Sequence, residues 1–148
     1  MARLVTAALA VGFLWAATPA TATTYDRMTV AEVTAVFQSA GFSVSSTSNS
    51  AVFIVGGVNV RVVDCKSDGK CTEICFYANL ANVQPSAQKV NEWNQTKKIP
   101  EASRNADGTL HVEMWLSTIG ATDTNIIDMF KWFRENYDDK TFWTPSTS

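Results

Sequence analysis

Apolar residues recur at helical spacing near both ends of the chain and alternate through most of what lies between. Val30, Val33, Phe37 and Ala40 follow at intervals of three or four, which puts them on one side of a helix. Thr29 and Glu32 have the spacing of a capping box before it, and Gly41 stands where such a helix would end. Alternation then takes over. Phe42–Thr47 alternates weakly and Ala51–Val55 reads as a strand. Gly56-Gly57 is a two-residue hairpin signal, with Val58–Cys65 as the returning strand. A polar turn over 66–70 leads to a further strand, Cys71–Leu80. Ser86 can cap a short helix to about Thr96, with Ala87, Val90 and Trp93 on one side. Asn105-Ala106-Asp107-Gly108 turns a hairpin into Leu110–Ser117, whose inward face is Leu110, Val112, Met114 and Leu116. A last helix starts near Thr122 or Asp123 and ends near Tyr137, and the tail from about residue 139 is expected to be irregular. The order α-β-β-β-β-α-β-β-α predicts an antiparallel sheet with helices packed on it, class α+β.

Alternation also fixes a register. Val58, Val60 and Val62 face one way, and in the next strand Thr72, Ile74, Phe76, Ala78 and Leu80 share a face. The two apolar faces coincide when Cys65 lies opposite Cys71, Val62 opposite Ile74 and Val60 opposite Phe76. A slip of one residue would turn core side chains into water. Opposed strand residues lie about 4.5–5.5 Å apart at Cα, within disulfide range. Cys71 and Cys75, four residues apart on one strand, are separated by roughly 13 Å and cannot be joined. The register therefore predicts a Cys65–Cys71 disulfide with Cys75 as the free thiol.

A disulfide needs an oxidising compartment, and the N-terminus supplies an address for one. Arg3 precedes the apolar run Leu4–Trp15, broken only by Thr6 and Gly12, and Ala20-Thr21-Ala22 is a small-residue cleavage site. Basic, apolar, small is the order of a secretory signal peptide. The expected organisation is a signal peptide over 1–22 and one domain over 23–148, exported to the periplasm or secreted. After cleavage no second apolar run is long enough for a membrane span. The chain has 148 residues, twelve Lys and Arg against fourteen Asp and Glu, and a net charge of −2. No global basic footprint for nucleic acid exists. With one histidine and three cysteines, a closed Cys/His zinc site cannot be built without borrowed ligands, so no cofactor is expected.

Candidate chemistry is correspondingly sparse. His111 and Glu113 share a strand face away from the core. They are either two polar side chains on a wet face or the acid/base or metal pair of a small exported enzyme or metal-binding protein. Cys75 faces Arg61, which would favour thiolate, yet a structural thiol or one pairing with another chain is the plainer reading. Asn94-Gln95-Thr96 matches a glycosylation acceptor. In the last helix Ile126, Phe130, Phe133 and Tyr137 form the core stripe, flanked by Ile127 and Met129. Trp132 falls more than about 100° from its centre at 3.6 residues per turn. It either lies along the surface or under the Phe142/Trp143 tail, or joins Ile127 and Met129 in a partner or dimer surface.

The stretch Val90-Asn91-Glu92-Trp93-Asn94, then Asp107-Gly108, Leu110, Glu113, Leu116 and Gly120 before an amphipathic helix, resembles the YbjN family. Cys65 and Cys71 followed by Ile74 and Phe76, and the first helix ending in Gly41-Phe42, carry the same resemblance. It spans nearly all of the chain after residue 22. Ile119 stands where that family usually doubles the glycine, and Cys75 stands at a position expected to be polar. The resemblance implies a fold similar to type III secretion chaperones, which hold a client chain on their surface and often dimerise. It implies a sensory transduction regulator without catalytic residues, acting through a protein partner or self-association. The motif residues Asn91, Trp93 and Asn94 either are structural or, through the asparagines, contact a ligand, and the structural reading is the plainer. The asparagines would bond the backbone of the adjoining loop while Trp93 packs on the sheet. The function expected is an exported, non-enzymatic binding or regulatory module.

Overall fold

In a computed structural model, which describes residues 23–97 and 99–143, the chain forms an α+β fold. The expected signal peptide over 1–22 lies outside the described residues. Helix α1 (Val30–Ser39) is followed by strands β1 (Val44–Ser46), β2 (Val52–Val55), β3 (Val58–Cys65) and β4 (Cys71–Leu80). Helix α2 (Ala87–Thr96), strands β5 (Glu101–Arg104) and β6 (Leu110–Ser117) and helices α3 (Asp123–Asn136) and α4 (Lys140–Trp143) complete it. The six strands make one antiparallel sheet in the order β1-β2-β3-β4-β6-β5. The element order expected from the pattern holds through α3.

Local chemistry explains the boundaries. The Thr29 hydroxyl accepts from Glu32 N while the Glu32 carboxylate accepts from Thr29 N, so two orphan donors of α1 are satisfied reciprocally. At the other end Gly41, at φ +83°, lets Phe42 N reach Phe37 O and Gly41 N reach Gln38 O. That paired closure needs a left-handed residue, which glycine adopts without a Cβ clash. Ser86 caps α2, and Thr122 with Asn125 repeats the reciprocal arrangement on α3.

The register is the one alternation requires. Val60 pairs Phe76, Val62 pairs Ile74 and Cys65 pairs Cys71; on the far side Phe76 pairs Met114 and Ala78 pairs Val112. Cys65 and Cys71 are joined in a disulfide. All these inward residues lie under the helices, where Phe37, Phe76 and Phe130 meet edge to face at 4.8–6.3 Å between centroids. Cys71 is fully buried although its alternation points it away from this core. The segment before α1 accounts for that, because Met28 exchanges both backbone hydrogen bonds with Cys71.

Two expectations are corrected. The tail is not irregular from 139: Asp139 accepts from Thr141 and Phe142 and starts α4, which buries Trp143. Trp143 stacks on Trp93 at 4.7 Å and Phe142 meets it edge-on at 5.1 Å. The apolar payload of two aromatic residues outweighs the polar composition around them. Ile127, expected on a partner surface, is buried at 8% exposure within the core. Helix α3 packs against both α1 and β6, and Ile127 belongs to the same buried core as Ile126 and Phe130.

Candidate functional site

Two places carry the side chains singled out by the sequence. The first is the sheet face opposite the helices, where strand pairing sets β3, β4 and β6 side by side. Arg61 lies opposite Cys75, Cys75 opposite Trp115, Tyr77 opposite Glu113, and Asn79 opposite His111. Alternate residues on neighbouring strands are within side-chain reach, and here they form a chain of contacts. His111 Nδ1 meets Asn79 Oδ1 at 2.8 Å and its Nε2 meets Glu113 Oε2 at 3.2 Å. The Cys75 thiol donates to the same Glu113 oxygen at 3.7 Å. Arg61 lies over the rings of Tyr77 and Trp115 at 5.5 and 5.4 Å. Its Nε is buried without an acceptor among the described residues.

The electrostatics of this face oppose nucleophilic chemistry. Burial first, then the Glu113 charge, pushes the Cys75 thiol up to about 12, and the Arg61 guanidinium only partly offsets them. The thiolate is therefore scarce at neutral pH. Burial alone would raise the Glu113 carboxyl, but hydrogen bonds from His111 and Trp115 outweigh it and hold Glu113 below the usual carboxylate range. Both His111 nitrogens already have partners within the cluster. No group of three or more Cys, His, Asp or Glu side chains arranged to hold a metal ion occurs among the described residues. Arg61 opposite Cys75 was legible in the sequence. Tyr77, Asn79 and Trp115 were not singled out, because their approach depends on the β4–β6 pairing, for which no short turn gives a register.

The second place is the outer side of α3. Trp132 is 39% exposed and Ile99 49%. They line one groove of about 360 Å³ together with Trp93, Pro100, Glu135 and Asn136. Trp132 is thus outside the core, and it lies in the open beside α4. Met129 is half-buried against the core and Ile127 is inside it, so the exposed apolar surface here is completed by Ile99 instead. Ile99 precedes a cis proline in the short α2–β5 connection. No helical or strand periodicity marks it, which is why pattern alone misses it. A larger groove of about 920 Å³ runs beside the β4–α2 connection, lined by Val83, Pro85, Lys89, Lys140 and Trp143. It brings together none of the expected site residues.

The motif at 91–94 has a structural role in two of its three residues. Trp93 is 1% exposed and donates from Nε1 to Pro100 O at 2.6 Å. The Asn94 side chain accepts from Ala102 N at 2.8 Å and donates to Ala102 O at 2.9 Å. It thereby acts as a surrogate strand against β5, the edge of the sheet, rather than bonding a loop. With both amide atoms engaged, Asn94 is not presented as a glycosylation acceptor in the folded chain. Asn91 is exposed and takes no part in this contact.

No protein-family model matches the chain, and no curated protein or solved structure matches it. No helix among the described residues is long and apolar enough to cross a membrane. The Cys65–Cys71 disulfide is compatible with an extracytoplasmic protein.

Proposed function

We propose that this is an exported, non-enzymatic binding or regulatory module of YbjN type, acting through the outer surface of α3. The observation that carries it is the pairing of Trp132 and Ile99 in one groove. A large aromatic side chain at the centre of such a surface removes much apolar area from water with few rotatable bonds to fix, the usual character of a binding anchor. The alternative is an enzyme or metal centre at His111 and Glu113. It has less support, since both His111 nitrogens already meet partners in the fold and the one thiol beside Glu113 is held protonated.

The signal-like N-terminus and the disulfide support export. Residues 91–94, which carry the resemblance, and the α+β order of elements are consistent with the family and the regulatory role. The test is complementation of a deletion in the protein's own host, read as competitive fitness. His111→Ala combined with Glu113→Gln should restore the wild-type level, whereas Trp132→Ala should behave as the deletion while folding normally by circular dichroism. The reverse pattern would move the function to the sheet face and overturn the proposal.

A further inference from the structure

The two edges of the sheet are finished differently. On β5 the outward backbone groups are taken: Trp93 Nε1 donates to Pro100 O at 2.6 Å, and the Asn94 side chain engages both Ala102 N and Ala102 O. Glu101 and Arg104 add charge to that edge, and Pro100 before it has no N–H to offer. All of these keep another strand away. The β1 edge has none of them. Its outward groups follow from the register. Val62 N donates to Ala51 O, so Ala51, Phe53 and Val55 turn their backbone groups to β3, and Val52 and Ile54 turn theirs to β1. Ile54 pairs Ser45. That leaves the N–H and C=O of Val44 and of Ser46 facing outward, without a partner among the described residues.

Beside this edge, on the helix side of the sheet, lies a groove of about 270 Å³. Val30, Thr34 and Gln38 of α1 form one wall, and Val44, Ser46 and Val52 the other. No lining side chain is charged, and neither a charged residue nor a proline occurs between Glu32 and Arg61. Glu32 is committed to the α1 cap and Arg134 lies over Phe42 and Phe130, and neither lines the groove. Open backbone groups on an edge strand recognise another extended backbone, and an adjoining pocket then reads every second side chain. We infer that the β1 edge takes an extended segment of a partner protein as an added strand, bonded through Val44 and Ser46, with an uncharged apolar side chain in the groove against α1. A charged side chain placed there would give up water without gaining a counter-charge. The site is separate from the α3 groove and does not depend on it.

The probe is a fluorescein-labelled hexapeptide of alternating threonine and valine, read by anisotropy, beside two versions N-methylated at the valines only or at the threonines only. An added strand bonds through alternate residues, so one methylated version should bind at least about tenfold more weakly and the other within about threefold. Lysine or glutamate in place of the valines should each weaken binding about tenfold or more. Ser46→Pro removes one outward N–H of β1, at a position where an edge strand tolerates proline, and should weaken the unmodified peptide about tenfold. Trp132→Ala should leave its affinity unchanged. Methylation is made in the peptide, so the test holds even where Ser46→Pro fails to fold. Equal effects of the two methylations, a lysine or glutamate peptide that binds as well as the valine one, or no binding of the unmodified peptide overturns the inference. Binding lost in Trp132→Ala and kept in Ser46→Pro would move the peptide to α3, overturning this site and leaving the proposed function standing. Dimers present without peptide and dissolved by Ser46→Pro would make the occupant a second copy and also overturn it.

Discussion

Trp115 and Trp132 are exposed to similar degrees, 44% and 39%, yet their surroundings differ in kind. Trp115 stands on a sheet, where cross-strand neighbours arrive at fixed spacing and supply partners from within the chain. Arg61 lies over its ring, and Cys75, Glu113, His111 and Asn79 continue a closed run of contacts. Trp132 stands on a helix, whose side chains splay outward, with the exposed Asp128, Lys131 and Glu135 near it. Exposure of an aromatic ring alone is thus a poor guide to a binding site. What distinguishes the two is how many partners the fold itself supplies around the ring, although Arg61 Nε keeps no acceptor among the described residues.

The wall of the α3 groove gives the largest expected effect. Trp93 lines the groove and stacks on Trp143, so Trp93→Ala should cost about 3–5 kcal/mol in urea unfolding, as for a fully buried aromatic. A cost below about 1 kcal/mol would mean that α2 and α4 close over the gap and that the groove is not a built feature.

The sheet face gives the next test. With its thiol pushed up to about 12, Cys75 in the native, non-reduced protein should react with iodoacetamide at pH 8 at least about a hundredfold more slowly than an ordinary thiol of pKa near 8.5. The unfolded chain should lose that protection. A native rate near that of a free thiol would show that the face opens and that its groups are available, weakening the contrast with α3.

The same contrast governs what the sequence could reveal. Strand alternation on either side of the polar turn at 66–70 was enough to set Cys65 opposite Cys71, because a one-residue slip exposes the whole valine face. Capping patterns located α1, α2 and α3 to within a residue or so, since each cap is a local hydrogen-bond exchange. Long-range events were less legible. Neither the seating of Trp143 on Trp93 nor the use of Ile127 by the core follows from helical periodicity, which reports that a stripe is wide but not how much of it is covered. Trp132 was visible as a misfit to the stripe, whereas its companion Ile99 lies in an irregular connection and becomes part of the site only through the tertiary fold.

The most direct measurement follows the four indole N–H signals of the domain over 23–148 by two-dimensional nuclear magnetic resonance while an N-acetylated hexapeptide with a central Leu-Phe pair is added. The Trp132 and Trp115 signals are assigned by single substitution to phenylalanine. The account predicts that the Trp132 signal shifts progressively and saturates, with the Trp115 signal unmoved at the same peptide concentrations. A saturating shift at Trp115 with Trp132 unchanged would contradict it and place binding on the sheet face.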